Sequence, residues 1–306
     1  MKILIATQKP FAPAAVTGIR EIVEGEGHTL ALLEKYADEA ELIASVGDAD
    51  ALIVRSDKVT AAVLDAAPKL KIVVRAGAGY DNLDLAACSA HGVVAMNTPG
   101  QNANAVAELV IALIIYISRN QFTPGTGSEI SGKKIGLQAY GNVGRLVAAK
   151  ARALGMSVMA FDPFVPAEKI EADGVEVASS LEELYSGCNF VSLHIPATPE
   201  TRGSIGSALV SRLPKGGCLV NTARKEVIDE ASLLEALKGR EDLKYVADVA
   251  PDSAAEYAAA LGKRYFATPK KMGAETAEAN INAGLAAARQ ICNYFSNGCE
   301  KFRLNK

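Results

Sequence analysis

The chain has 306 residues, with 32 Lys+Arg against 35 Asp+Glu, a formal net charge of −3 and five cysteines. That length admits two domains with large cores, and the near-neutral balance, without a long basic run, excludes nucleic acid as a partner. Cys88, Cys188, Cys218, Cys292 and Cys299 are scattered with no C-x-x-C pair, which excludes a zinc site and a disulfide framework and reads as mostly buried thiols.

At the N-terminus, MKILIATQKP offers an apolar run too short for a signal peptide. The longest apolar stretch, Val106 to Ile117, contains Glu108 and falls short of a membrane span. A cytoplasmic protein with no membrane partner is expected.

In chain order, short β-type runs alternate with helical ones. Strands are expected at Ile3 to Ala6, His28 to Leu33, Ala51 to Val54 and Leu70 to Val74, with helices near Ala14 to Glu24 and Ala40 to Ile43. Such alternation indicates a parallel sheet with helices on its faces, so residues 1 to about 97 form an α/β layer of their own. This layer has no glycine fingerprint after its first strand and is expected to bind substrate rather than cofactor. Two of its strand ends carry polar clusters, Arg55-Ser56-Asp57-Lys58 and Arg75-Ala-Gly77-Ala-Gly79-Tyr-Asp-Asn82. Ligands of open α/β sheets bind at the carboxyl ends of strands, and arginines beside exposed glycine amides suit a carboxylate or phosphate. Arg55, Ser56, Arg75 and Gly77 are therefore substrate-binding candidates; the plainer alternative is surface charge beside a glycine turn.

Asn97-Thr-Pro-Gly100 and Asn102 then interrupt the pattern ahead of the apolar helix Val106 to Ile117, a sequence suited to a hinge between domains. Asn102 joins the substrate-binding candidates.

From Lys133 to Asp162 the chain reads KKIGLQAYGNVGRLVAAKARALGMSVMAFD. An apolar strand around Ile135 to Leu137 breaks at Ala139-Tyr-Gly-Asn-Val-Gly144, a helix comes next, Gly155 ends it, and a strand from Ser157 to Phe161 delivers Asp162. This is half a dinucleotide site in size and order. Free amides near Tyr140, Gly141, Asn142 and Val143 suit a pyrophosphate, and Asp162 suits the ribose hydroxyls while repelling a 2′-phosphate, which favours NAD over NADP. Ala139 stands where G-x-G-x-x-G has its first glycine, and a tight strand-to-helix turn of any α/β protein is the alternative.

Beyond Asp162, strands ending at Leu193, Val220 and Ala247 run into His194, Asn221-Thr222-Ala-Arg224 and Asp248, on the same edge as Gly141 and Asp162. A last helix, Thr276 to Phe295, is apolar at Ile281, Leu285, Ala288 and Ile291 and can cross back to the first layer. The expected architecture is α/β: two doubly wound parallel-sheet domains, the Rossmann-like cofactor domain (98–280) inserted into the substrate domain (1–97 with 281–306).

Across nearly its whole length the chain resembles the D-isomer-specific 2-hydroxyacid dehydrogenases, and within them the 3-phosphoglycerate dehydrogenases. The resemblance is carried by Arg75-Ala-Gly-Ala-Gly-Tyr-Asp-Asn82, Asn97-Thr-Pro99, Ala107-Glu108, Gly141-Asn-Val-Gly-Arg145, Ser192-Leu-His-Ile-Pro196 with Thr201, Asn221-Thr-Ala-Arg224 and Ala247-Asp-Val249. It implies an NAD cofactor, with Asp162 on the adenosine ribose, His194, Thr201 and Thr222 lining the cofactor site, and Asp248 on the nicotinamide amide. Arg224 would grip the substrate's carboxylate and 2-oxygen. The implied partner is a small phosphorylated 2-hydroxy acid, and the implied assembly is a homodimer through the cofactor domain. The helix from Val106 to Ile117 is apolar enough for that interface or for a buried core. On a chain that stops at Lys306, no C-terminal regulatory domain is expected, nor serine feedback through one.

The departures from the resemblance are specific. The family's acid/base is a histidine in a Thr-Pro-His-x-Gly segment, supported by a glutamate about five residues after the Asp-Val aspartate. Here the segment is Ala267-Thr-Pro-Lys-Lys-Met-Gly-Ala274, the fifth residue after Asp248 is Ser253, and the histidines are His28, His91 and His194. Counting back from Gly273-Ala-Glu-Thr276 places Lys271 at the histidine's position, with Lys270 as the alternative. A histidine near pKa 6.5 gains from a carboxylate, whereas a lysine near 10.4 must come down, so losing the glutamate is consistent with the lysine. Arg224 and partial burial are expected to lower it, and Asp252 or Glu256 remain candidate carboxylate partners. The expected reaction is hydride transfer between NAD and 3-phosphoglycerate, the first step of serine synthesis, with domain closure excluding water. The alternatives are a glyoxylate or hydroxypyruvate reductase and a catalytically inactive NAD-binding sensor; no metal is expected.

Overall fold

A computed structural model describes residues 1–305, which fall into two compact units, Met1–Asn102 with Glu275–Lys306, and Ala103–Ala274. The first unit opens with β1 (Lys2–Thr7), α1 (Pro13–Gly25), β2 (Thr29–Glu34), α2 (Glu39–Ser45), β3 (Ala51–Val54), α3 (Ala61–Asp65), β4 (Ile72–Arg75), α4 (Leu85–Ala90) and β5 (Val94–Asn97). Its sheet is parallel, in the order β2-β1-β3-β4-β5. The short strands β3 and β5 are buried at every position, as expected where helices cover both faces. One core packs Ile3, Ile5, Ile53 and Val74; the other, across the sheet, packs Leu4, Leu52, Val54 and Val73. Asp38, Thr60 and Asp84 cap the starts of α2, α3 and α4 by accepting from first-turn amides.

The second unit runs α5 (Ala103–Ser118), β6 (Lys134–Gln138), α6 (Asn142–Ala153), β7 (Ser157–Phe161), α7 (Ala167–Ala172), β8 (Glu176–Val177), α8 (Leu181–Gly187), β9 (Phe190–Leu193), α9 (Ser207–Val210), β10 (Cys218–Asn221), α10 (Glu230–Gly239), β11 (Lys244–Ala247), α11 (Ala254–Leu261) and β12 (Tyr265–Ala267). Its seven strands are parallel, in the order β12-β11-β10-β9-β6-β7-β8. The order reverses between β6 and β9, the switch point at which such sheets open a crevice beyond their carboxyl ends. Helix α5 turns Ala107, Val110, Ile114 and Ile117 into the core with α6, and leaves Ala112, Ile115 and Tyr116 outward.

The final helix, α12 (Ala277–Asn297), belongs to the first unit and lies against α1. The approach is close: a Cβ on Gly18 would stand 2.7 Å from Leu285 Cδ2, and one on Gly284 2.9 Å from Ile19 Cδ1. Elements α3, α4, β5, α7, β8, α11 and β12 are additions to the sequence reading, most of them too short for periodicity to reveal. Cys88, Cys188, Cys218 and Cys292 are buried free thiols, and Cys299 is exposed. Among the described residues no helix is long and apolar enough to cross a membrane, and no acidic, histidine or cysteine group could hold a metal ion.

Candidate active site

The register of the seven-stranded sheet builds the site. Gln138 pairs with Leu193 and Phe161, Asn221 with Leu193 and Ala247, and Ala247 with Ala267. One residue further along, Thr268, Asp248, Thr222, His194, Ala139 and Asp162 form the next row across the sheet edge. Backbone bonds extend the ladder to it: Ala139 N–H donates to Phe161 O at 2.9 Å, His194 to Gln138 at 2.9 Å, Asp248 to Asn221 at 2.8 Å and Thr268 to Ala247 at 3.0 Å. Residues distant in sequence are thereby fixed in a line by the sheet alone.

At the switch point, α6 starts at Asn142 with Gly141 as its N-cap and no side-chain cap. By contrast Ser180, Asp229 and Thr276 satisfy first-turn amides of α8, α10 and α12. The amides at the start of α6 are thus left for an external anion. A Cβ on Gly141 would meet nothing within 4 Å, so the approach is open, whereas one on Gly144 would stand 2.5 Å from Ala139 O, where helix and strand close together. Asp162 stands beside this turn and also holds it: Oδ2 accepts from Tyr140 N–H at 2.7 Å and Oδ1 from Phe164 N–H at 2.8 Å. Each oxygen keeps a second lone pair for a ribose hydroxyl. Tyr140 is spent on the protein itself: its ring is buried, its hydroxyl donates to Asp173 and its N–H to Asp162, so the free amides of the turn begin after it.

Ala139 adopts φ +82°, the left-handed conformation a glycine normally supplies here. Ala139→Gly is expected to raise unfolding stability by about 1 kcal/mol, since relief of the Cβ strain exceeds the added chain entropy. Urea unfolding followed by circular dichroism checks this; a less stable variant would mean the turn carries no such strain.

Further along the edge, His194 is half-buried, and its Nε2 is inaccessible and lacks a hydrogen-bond partner. Burial pushes the ring down to about 4, so it is neutral at physiological pH. Thr222 Oγ1 is likewise buried without a partner. Two unsatisfied polar atoms beside an uncapped helix start and an acidic ribose acceptor fit a dinucleotide. Thr201 is committed to its own loop, donating to Pro196 O at 2.6 Å and accepting from Thr198 N–H at 2.8 Å.

Asp248 is buried, and its carboxylate faces the loop after β12. Oδ1 accepts from Thr268 Oγ1 at 3.0 Å and Met272 N–H at 2.8 Å, and Oδ2 from Gly273 N–H at 2.7 Å. The segment Pro269-Lys270-Lys271 is thus a three-residue bridge with both feet on one carboxylate. Lys270 and Lys271 are exposed, so the partial burial expected for Lys271 is absent. Asp252 and Glu256, the expected alternative carboxylates, are both exposed. Asp252 pairs with Lys225 at 2.5 Å, and Glu256 is exposed on α11. Glu230 instead holds that segment, accepting from Asp252 N–H and Ser253 N–H at 2.9 and 3.0 Å and from Ser253 Oγ at 2.5 Å. Arg224 is half-buried on an extended backbone after β10, with one Nη donating to Ala223 O at 3.0 Å.

The other sequence candidates, Arg55, Ser56, Arg75, Gly77 and Asn102, lie in the first unit. Arg55 is largely committed within it: its guanidinium donates to Lys9 O, Pro10 O and Asn280 Oδ1, and lies over the Phe11 ring. Buried Asp57, within the Arg55–Lys58 cluster but not itself a sequence candidate, ties the loops after β1, β2 and β3 by accepting from Gln8 N–H and the Tyr36 hydroxyl, both at 2.7 Å. Arg75 Nε donates to Arg55 O at 3.0 Å, and its guanidinium occupies the place a Cβ on Gly77 would take, 1.6 Å from Nη1. Gly77 has φ +149° and no room for a side chain. Ser56 is exposed and Asn102 half-buried. Asp57, Asn221 and Thr268 stand inside clusters and motifs visible in the sequence, but nothing in the sequence assigned them a holding role, and Glu230, in the first turn of α10, left no sequence signal.

Residues 106–269 match the family model described as D-isomer specific 2-hydroxyacid dehydrogenase, NAD binding domain. The chain is 36% identical over 265 residues to D-3-phosphoglycerate dehydrogenase of Methanocaldococcus jannaschii, covering 82% of this chain and 51% of that protein. It is 35% identical over 287 residues to the rat (Rattus norvegicus) protein of the same name, covering 89% and 53%. The chain spans about half the length of the curated relatives it matches. Among solved structures, the NAD+-bound 3-phosphoglycerate dehydrogenase of Entamoeba histolytica superposes with a TM-score of 0.90 at 48% identity, over 100% of this chain and 99% of that one.

Proposed function

We propose that this chain, which belongs to the D-isomer specific 2-hydroxyacid dehydrogenase family, is a 3-phosphoglycerate dehydrogenase: it transfers a hydride between NAD and 3-phosphoglycerate at the first step of serine synthesis. The observation that carries this reading is the row at the sheet edge. Asp162 and the uncapped start of α6 lie toward one end of it, Thr268 and Asp248 with the Pro269-Lys270-Lys271 bridge at the other, and Arg224 two residues past Thr222 between them; this supports an anion and ribose site beside a substrate site.

Gly141, Asn142 and Val143 offer backbone amides to the pyrophosphate, with Tyr140 N–H held by Asp162 behind them, Asp162 receives the ribose, and His194, Thr201, Thr222 and Asp248 line the remainder. The nicotinamide ring, when bound, supplies the hydride acceptor or donor at its C4. Arg224 takes the substrate carboxylate with the paired donors of its guanidinium and stabilises charge on the 2-oxygen. Lys271 in its neutral amine form removes the 2-hydroxyl proton in oxidation, and the resulting ammonium returns it in reduction. For the remote phosphate we assign Ser56, Arg75 and the Gly77 loop, with Asn102; Arg55 supports those loops from within the first unit.

The decisive assay tracks NADH absorbance with 3-phosphohydroxypyruvate, glyoxylate and hydroxypyruvate. Preference for the phosphorylated acid is expected. Preference for an unphosphorylated acid would reassign the substrate, and NADH binding without any turnover would leave a sensor.

A homodimer in the cytoplasm completes the proposal. Its support is an apolar face of the second unit, where Tyr116 meets the rings of Phe122 and Phe266 at 5.2 and 4.8 Å, with Ala112 and Ile115 beside them. Phe122 is 70% exposed, and a second copy of this face would cover it. Phe122→Glu is expected to sediment as a monomer where the parent is a dimer; an unchanged sedimentation coefficient would remove this face from the interface.

A further inference from the structure

We propose that Asn221 is the positioning residue that aims Arg224, and that it joins Arg224 to the support of the lysine bridge; the proposal rests on the reading of Arg224 as the group that grips the substrate carboxylate. Asn221 ends β10 and is 4% exposed. Both ends of its side-chain amide are used: Oδ1 accepts from Ala223 N–H at 3.0 Å, and Nδ2 donates to Arg224 O at 2.9 Å. Its own carbonyl accepts from Asp248 N–H at 2.8 Å.

The consequence for Arg224 comes from the peptide between. Ala223 offers its N–H to Asn221 and its carbonyl oxygen to the Arg224 guanidinium, at 3.0 Å each. Asn221 therefore fixes the group against which the guanidinium leans, as well as the carbonyl that closes the turn. Arg224 has φ −141° and ψ 144°, ahead of a 3-10 turn at Lys225–Val227, so no helix holds it in place. On its other side, Asn221 anchors the strand end of Asp248, whose carboxylate carries Thr268, Met272 and Gly273.

An amide suits this junction because it holds a donor group and an acceptor oxygen at fixed separation, with capacity left for the hydrogen bond that Asn221 also makes with the Tyr245 side chain. Aspartate keeps the shape but loses the donor, setting an oxygen against the Arg224 carbonyl; alanine loses all of these bonds. A displacement on the order of 1 Å at a substrate-orienting group costs about 100-fold in rate.

The test uses Asn221→Asp and Asn221→Ala in the full chain. It measures NADH affinity by NADH fluorescence, oxalate affinity of the NADH-bound protein, and kcat and KM for 3-phosphohydroxypyruvate. Expected for both variants are NADH affinity within about twofold, oxalate affinity down roughly tenfold, and kcat/KM down about 100-fold. Oxalate reads the grip on a carboxylate without turnover, and a merely structural role would not lower it while sparing NADH. Wild-type oxalate affinity and kcat/KM in Asn221→Asp would overturn the proposal, as would NADH and oxalate affinities falling together. Should Asn221→Ala fail to fold, the isosteric Asn221→Asp still decides. If the parent binds NADH but neither binds oxalate nor turns over, the reading of Arg224 itself fails, and the proposal with it.

Discussion

Lys271→Ala is expected to lower kcat about 1,000-fold, within the range for losing a general acid/base, while NADH binding persists. The histidines are placed elsewhere. His28 meets the Phe295 ring edge to face and His91 pairs with Asp65, both in the first unit, and His194 is neutral above about pH 4 with an inaccessible Nε2. The pH profile of kcat/KM should accordingly lack the limb near pH 6.5 that a histidine base gives. Lys270→Ala, outside the proposed chemistry, is expected to change kcat/KM by no more than about twofold, as for an exposed substitution. A large loss in Lys270→Ala with activity retained in Lys271→Ala would exchange the two roles. Retained activity in both would leave the base to another group.

Asp248→Ala is expected to produce the largest combined effect, a loss of about 3 kcal/mol in stability and at least about 100-fold in kcat/KM. The stability term comes from removing one buried acceptor that serves the Thr268 hydroxyl and two backbone amides, those of Met272 and Gly273. The rate term comes from releasing both feet of the bridge that carries Lys271. The site's own lysines report the change, because trypsin should cut the variant after Lys270 or Lys271 under conditions that leave the parent intact. Asp248→Asn, which turns a donor toward one of these amides, should show the same pattern in milder form. A variant as resistant to trypsin as the parent would show that the loop is held by other contacts, and the positioning role would be withdrawn.

The candidate site was legible in the sequence wherever its residues sit just past the end of a strand. Gly141, Asp162, His194, Thr222, Arg224 and Asp248 each come within a few residues of the end of an apolar run, and a parallel sheet places all such ends on one edge. The lysine proposed as acid/base is suggested by the sequence only as a departure, from the absence of a histidine in the Thr268-Pro-Lys-Lys-Met-Gly273 segment. How hydrogen bonds are spent was not legible. Arg55 had the sequence profile of an anion reader, yet its donors go to Lys9 O, Pro10 O and Asn280. Asp248 was read for a ligand and is also the anchor of a loop; Asp252 was read as a candidate partner of the base and is taken by Lys225.

The parallel α/β class, the order of the strands along the chain, the helix start at Asn142 and the acidic residue after β7 were all set by the order of residues along the chain. These come from local periodicity and from turn chemistry within a few residues. The packed structure was needed to establish which carboxylate holds which loop, that Ala139 is forced to positive φ, and that Asn221 joins Arg224 to Asp248. Those bonds link residues brought together by sheet register and by the crossing of distant strands. Pairings of that kind leave no periodicity behind, because a buried polar side chain takes whichever partner the packed neighbours leave within reach.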